Sequence, residues 1–130
     1  KDNRNREQEV AIAARKSKLL AKELNCPVVL LSQLNREAEG RYAGRPQLND
    51  LRESGAIEQD ADIVILLHRP ALSKIATDKE SGYPTEGLGI LTAAKHRNGE
   101  TGTVYFSHNK SMTKIEDYVP PMEWLMKQAK

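Results

Sequence analysis

Three short stretches of this chain carry side chains whose type and spacing suit work on phosphates. The first, Ser32-Gln33-Leu34-Asn35-Arg36, follows directly on the apolar run Val28-Val29-Leu30-Leu31. An amide at the exit of a buried strand stays neutral while hydrogen-bonding a terminal phosphate or an attacking water, so Gln33 could report whether a γ-phosphate is present. Position alone leaves open that Gln33 merely caps the strand. The second stretch is residues 51–62, LRESGAIEQDAD. Arg52 can offer a guanidinium to a phosphate, and Gly55 permits close backbone approach with its N–H as donor. Glu53 cannot attract phosphate and is expected to orient Arg52 or to cap local N–H groups. A charged helix start on the surface would read the same way. The third is Lys95-His96-Arg97-Asn98-Gly99. Two cations on alternate positions of a strand end share one face, with His96 opposite. An Arg held rigidly beside a Lys is what an arginine finger requires, a charge delivered to a nucleotide on a neighbouring subunit. A basic, solubilising hairpin is the alternative.

Other chemistries find no support. His68, His96 and His108 are scattered without Cys or carboxylate at metal-ligand spacing, so no metal site is expected. No Ser/His/Asp or Cys/His arrangement can be argued. No G-x-x-x-x-G-K-[ST] stretch occurs, so this chain alone is not expected to hold ATP as a motor does. The formal charge of +2 is too small to announce a nucleic-acid binder by bulk electrostatics, and any case for DNA rests on local residues. Arg36, Arg41, Arg45 and Arg52 do fall in one stretch between apolar runs, either as a solvated loop or as phosphate contacts. The composition, 38% hydrophobic and 29% charged, is that of a globular protein. Cys26 is single and reads as a buried thiol. No apolar run approaches a membrane span, and a cytoplasmic setting is expected.

These residues need elements to position them. Val10, Ala13, Ala14, Leu20, Ala21 and Leu24 recur at helical spacing and predict an amphipathic helix over residues 6–24. Asn25-Cys26-Pro27 ends it. The unbroken apolar runs 28–31 and 63–67 predict strands buried on both faces, as in a parallel sheet flanked by helices. The strand that would precede the first helix in a βαβ unit is expected upstream of Lys1. Residues 35–49 read as loop, and Asp50 with Glu53 is a weak capping-box signal for a short helix. Residues 70–87 show no periodicity and are expected to form a mobile surface loop. Residues 88–94, 103–106 and 112–115, with turns at Asn98-Gly99 and Asn109-Lys110, predict an antiparallel meander at the sheet edge. The tail from residue 118 carries Pro120-Pro121 and then Met122, Trp124, Leu125 and Met126. It reads as a short docked helix or a partner-binding segment.

Taken together, residues 28–36 (VVLLSQLNR), 45–62 (RPQLNDLRESGAIEQDAD) and 95–102 (KHRNGETG) resemble, in order and spacing, the carboxy-terminal part of DnaB-type bacterial replicative helicases. The sequence departs from that pattern at His96 and Glu100, which flank Arg97 rather than replace it. The resemblance implies an α/β fold, part of a RecA-like core over residues 1–117, followed by the tail 118–130. It implies a hexameric ring around single-stranded DNA that hydrolyses ATP with Mg2+ and moves 5′ to 3′, with a primase and a helicase loader as partners. On this reading Gln33 is the γ-phosphate sensor, and Arg52, Glu53 and Gly55 hold the DNA backbone. Lys95 and Arg97 reach the ATP of the adjacent subunit. The P-loop and the magnesium ligands would then lie upstream of Lys1. Two other readings stay open: a non-catalytic DNA-binding or ring-assembly module, and a RecA-like recombination or primase-linked helicase relative. Residues 45–62 favour the first reading over the last.

Overall fold

The computed structural model describes residues 3–34, 44–51 and 54–130. Helix α1 (Asn3–Leu24) opens the chain. Its half-buried and buried stripe runs through Val10, Ala11, Ala14, Ser17, Lys18 and Ala21. These small residues let the helix approach its neighbours closely, while Lys18 lays its stem along the same face. Leu20 and Leu24, expected in that stripe, are 44% and 59% exposed because no described element packs on their side. The helix stops at Asn25, whose positive φ of 50° turns the backbone left-handed, and the Cys26 N–H closes back on the Ala21 carbonyl.

A 3-10 turn (Leu48–Asp50) and helix α2 (Ser54–Asp60) follow. Asp50 does not start α2. Its carboxylate turns back to accept the Gln47 N–H at 2.7 Å. Strands β1 (Ile63–His68), β2 (Leu88–His96), β3 (Gly102–His108) and β4 (Ile115–Asp117) form one sheet in sequence order, every pair antiparallel. The expected meander is therefore present. The β1–β2 register slips between Val64 and Ile65, where a bulge gives β2 an extra residue, Ala94.

The core gathers Ala14, Leu51, Ile57, Val64 and Leu66 from α1, α2, β1 and the segment between the helices. Only one face of β1 is covered: Val64 and Leu66 are buried, whereas Ile63, Ile65 and Leu67 are more than half exposed. The run Val28-Val29-Leu30-Leu31 departs further from expectation. It forms no strand, and Val29 and Leu31 are 84% and 91% exposed. A strand is made by ladder hydrogen bonds to a neighbour, and no described strand lies beside this run. Cys26, read as buried, is likewise exposed.

Residues 70–87 are not the structureless excursion expected. A 3-10 turn (Pro70–Ser73) leads into a tight hairpin in which Thr77 bridges Pro84, the Asp78 N–H meets the Tyr83 carbonyl at 2.9 Å, and the Thr85 hydroxyl donates to the Ile75 carbonyl. The missed signal is Asp78 with Ser81 three residues on: the carboxylate accepts the Ser81 N–H and hydroxyl and closes the turn through the side chain. Helix α3 (Met122–Gln128) closes the tail over this hairpin, its Trp124 indole N–H donating to the Gly82 carbonyl at 2.8 Å.

Asp78 is 5% exposed, and burial works to raise its pKa. Hydrogen bonds from Arg45 and Ser81, with the charge of Arg45, outweigh that and hold it down at about 2. A depressed carboxylate contributes stability above its unfolded value of about 4, and that contribution drains away as pH falls toward the folded value. Burial also pushes the half-buried His68 down, which adds a loss as pH falls through about 6.5. The thermal midpoint of the folded domain should therefore drop from pH 6 to pH 3, and Asp78→Asn should flatten the lower part of that profile. An unchanged profile in the variant would remove Asp78 from the account.

Candidate functional site

Of the residues singled out in the sequence, the described ones lie near the two ends of α2. Gln33 is exposed, one residue before Leu34, and Leu34 forms an antiparallel bridge with Leu51. Leu51 is 6% exposed and sits in the core. The exit of the first apolar run and the entry to the second stretch are thus pinned side by side. Arg52 and Glu53 come next in sequence and lie outside the described residues, as do Arg36 and Arg41. Gly55 is exposed in the first turn of α2, and a Cβ placed there would meet nothing within 4 Å. Gly55 therefore leaves open space rather than relieving a clash.

At the other end of α2 stand both cations of the third stretch. The Lys95 ammonium donates to the Glu58 carbonyl, and the Arg97 guanidinium donates to the Gln59 carbonyl at 3.0 Å. The last carbonyls of a helix lack partners within it and carry its negative pole, so they attract cations. Lys95 and Arg97 do share a face, as the strand spacing predicts. His96 turns the other way and covers Gly99, where an added Cβ would come within 2.3 Å of the imidazole.

Asp62, just after α2, was not singled out in the sequence, yet it grips Arg97 twice. Its carbonyl accepts the Arg97 N–H at 2.8 Å, and its carboxylate lies 3.2 Å from Arg97 Nη1. Lys18 from α1 donates to both carboxylate oxygens at 2.5 and 2.6 Å. That hydrogen bond is the main reason Asp62 titrates below the usual carboxylate range, with the charges of Lys18, Arg97 and Lys95 adding to it. The Arg97 side chain nonetheless stays 43% exposed, so it remains within reach of a second molecule. Nothing in the sequence separates Asp62 from Asp60 as the partner; only the packing of α1 does.

Among the described residues no group of three or more His, Cys, Asp or Glu side chains could hold a metal ion. No described helix is long and apolar enough to cross a membrane.

The family model described as DnaB-like helicase C terminal domain matches residues 1–117. The chain belongs to this family. Among curated members, it is 51% identical over 110 residues to the replicative DNA helicase DnaB of Mycobacterium leprae, covering 85% of this chain and 17% of that protein. With its counterpart from Leifsonia xyli subsp. xyli it shares 50% over 115 residues, 88% of this chain and 24% of the relative. The chain thus spans less than a quarter of the length of these DnaB relatives. Among solved structures, a DnaB-like replicative helicase studied with its primase interactions superposes with a TM-score of 0.74 at 38% identity, covering 88% of this chain and 26% of that one. The ATPase domain of G40P gives the same TM-score and identity, with 38% of its length covered. The fold is accordingly part of a RecA-like DnaB ATPase domain, with mixed helices and strands, and its antiparallel meander is the portion formed by these residues.

Proposed function

We propose that this chain is the part of a replicative helicase motor that senses nucleotide, grips single-stranded DNA and completes the neighbouring subunit's ATP site in a hexameric ring. The position of α2 carries the reading. Gly55 lies in its first turn, the Leu34–Leu51 bridge holds the residue after Gln33 beside the chain that leads toward it, and its last carbonyls seat Lys95 and Arg97. Described residues of all three stretches thus lie at or near this one short helix, which supports the reading.

ATP with Mg2+, when bound, would supply the phosphoryl group to be hydrolysed and a metal to offset its charge. A neutral amide and two cations on one strand face fit polyphosphate oxygens, and among the described residues no group of His, Cys, Asp or Glu is suited to hold the metal itself. Gln33 would orient toward the terminal phosphate of its own subunit's nucleotide. Lys95 and Arg97 would place positive charge at the nucleotide of the next subunit, where charge builds up in the transition state. Arg52 and the backbone N–H groups near Gly55 would contact DNA phosphates, which carry no base identity and so permit movement along any sequence. Translocation 5′ to 3′, and contacts with a primase and a loader, belong to this reading as well. With no P-loop sequence, the 130-residue chain by itself should hydrolyse ATP negligibly.

Gln33→Ala tests the coupling. In a complete helicase polypeptide carrying this chain, single-stranded DNA should stimulate ATP hydrolysis at least about tenfold less than in the parent, with unwinding lost in parallel. Unchanged DNA stimulation and unwinding would refute the sensor role. A competing reading as a non-catalytic DNA-binding module gains nothing from the seating of Arg97, which such a module would not need.

A further inference from the structure

We infer that Arg45 is a positioning residue for the DNA segment, seated by Asp78 and Tyr105 in a socket that the tail helix helps to close; this rests on the reading of residues 52–55 proposed above. The Arg45 side chain is 10% exposed, unusual burial for a residue seven positions before Arg52 in a polar, Gly/Pro-punctuated stretch. Its Nη2 donates at 2.8 Å to both Asp78 Oδ2 and the Tyr105 hydroxyl, its Nε reaches Asp78 Oδ1 at 3.3 Å, and Nη1 pairs with Glu80 at 2.8 Å. Every arm of the fork is engaged.

The socket is itself braced. Tyr83 meets the Tyr105 ring edge-on at 5.1 Å, and Trp124 of α3 meets Tyr83 at 4.9 Å. The Trp124 indole is tied to the carbonyl of Gly82, whose φ of +74° makes the turn that presents it. From Arg45 onward there is little slack. Gln47 is bonded to Asp50, the 3-10 turn follows, and Asp50 and Leu51 are 3% and 6% exposed. Arg45 thus helps to fix the chain up to Leu51, and α2 fixes it again from Ser54.

A stability role alone does not account for this arrangement. A buried ion pair is on average no more stabilising than apolar side chains of the same size, because desolvation offsets the attraction. What a planar guanidinium fork adds over an apolar contact is a defined orientation. Orientation matters most immediately before a segment that must meet a phosphate at hydrogen-bond distance.

The test uses a complete helicase polypeptide carrying this chain, with Arg45→Lys, which keeps the charge but loses the fork, and Tyr105→Phe, which removes one hydrogen bond on Nη2. A single-stranded oligonucleotide is the probe, and ATP turnover is measured with and without it, beside the thermal midpoint. Arg45→Lys should raise the DNA dissociation constant about tenfold and Tyr105→Phe about threefold, with DNA-free turnover staying within about twofold of the parent. Unchanged DNA affinity in both variants would overturn the inference. So would equal losses with and without DNA that track the folded fraction, since that is what a purely structural pair would give. Should Arg45→Lys fail to fold, Tyr105→Phe decides alone. A parent polypeptide that does not bind the oligonucleotide would instead refute the proposed function.

Discussion

Arg97→Ala, in a complete helicase polypeptide carrying this chain, should lower ATP turnover by roughly 10³-fold or more, the range measured for arginine fingers. Nucleotide affinity of single subunits should stay within about twofold if, as proposed, the guanidinium serves the neighbour's site. Exposure and magnitude separate this from a folding defect. Arg97 is 43% exposed, and its contact with Asp62 is a surface ion pair weakened by solvent screening. Asp62 also keeps its two hydrogen bonds from Lys18 when Arg97 is gone. A 10³-fold loss corresponds to about 4 kcal/mol of barrier, well beyond what that contact supplies to the fold. Equilibrium nucleotide binding and steady-state turnover, measured on the same preparation, check the separation. A loss of binding equal to the loss of turnover would place Arg97 in its own subunit's site.

Arg52→Ala should weaken single-stranded DNA binding in a way that salt reveals. If each subunit of a six-membered ring sets one guanidinium against a phosphate, removing all six reduces the slope of log affinity against log salt by roughly 4. The affinity at low salt should fall more than about tenfold, with little dependence on base sequence, because phosphate contacts position without specifying. Leu51 before the segment and Ile57 after it are buried in the core, and the thermal midpoint measured alongside separates a lost phosphate contact from a lost fold. Titrations of homopolymeric and mixed-sequence oligonucleotides between 50 and 200 mM salt measure both quantities. An unaltered slope would mean that Arg52 does not touch phosphate.

Much of this was legible in the sequence because it depends on local pattern. Helix α1 follows from its spacing and its Asn25-Cys26-Pro27 stop, and the β2–β3 hairpin follows from alternation around Asn98-Gly99. The same alternation put Lys95 and Arg97 on one face. The apolar runs 28–31 and 63–67 were read as buried on both sides, and here they are at most half covered. A run of Val, Ile and Leu records how apolar its faces are, not which elements cover them. For this reason the run 28–31 forms no strand among these residues.

Long-range polar pairs were the least legible part. Arg45 with Asp78 spans 33 positions, and Lys18 with Asp62 spans 44. No local spacing rule connects residues so far apart, and hairpin 76–85 looked featureless because its order comes from that carboxylate and not from apolar periodicity. The Trp124 contact was missed for the same reason: a lone aromatic in a tail says nothing about which carbonyl it will find.

The central claim is that one ATP site is built from Gln33 of one subunit and Arg97 of the next. Mixing Gln33→Ala and Arg97→Ala helicases tests it directly. Each alone is expected to lack most DNA-stimulated turnover, but in a randomly mixed ring about a quarter of the interfaces pair an intact Gln33 with an intact Arg97. The account predicts that DNA-stimulated ATP turnover reappears on mixing, toward that fraction of the parental rate. Turnover that stays at the level of the separate variants, in rings shown to have exchanged subunits, would mean that both residues act within one subunit and would contradict the account.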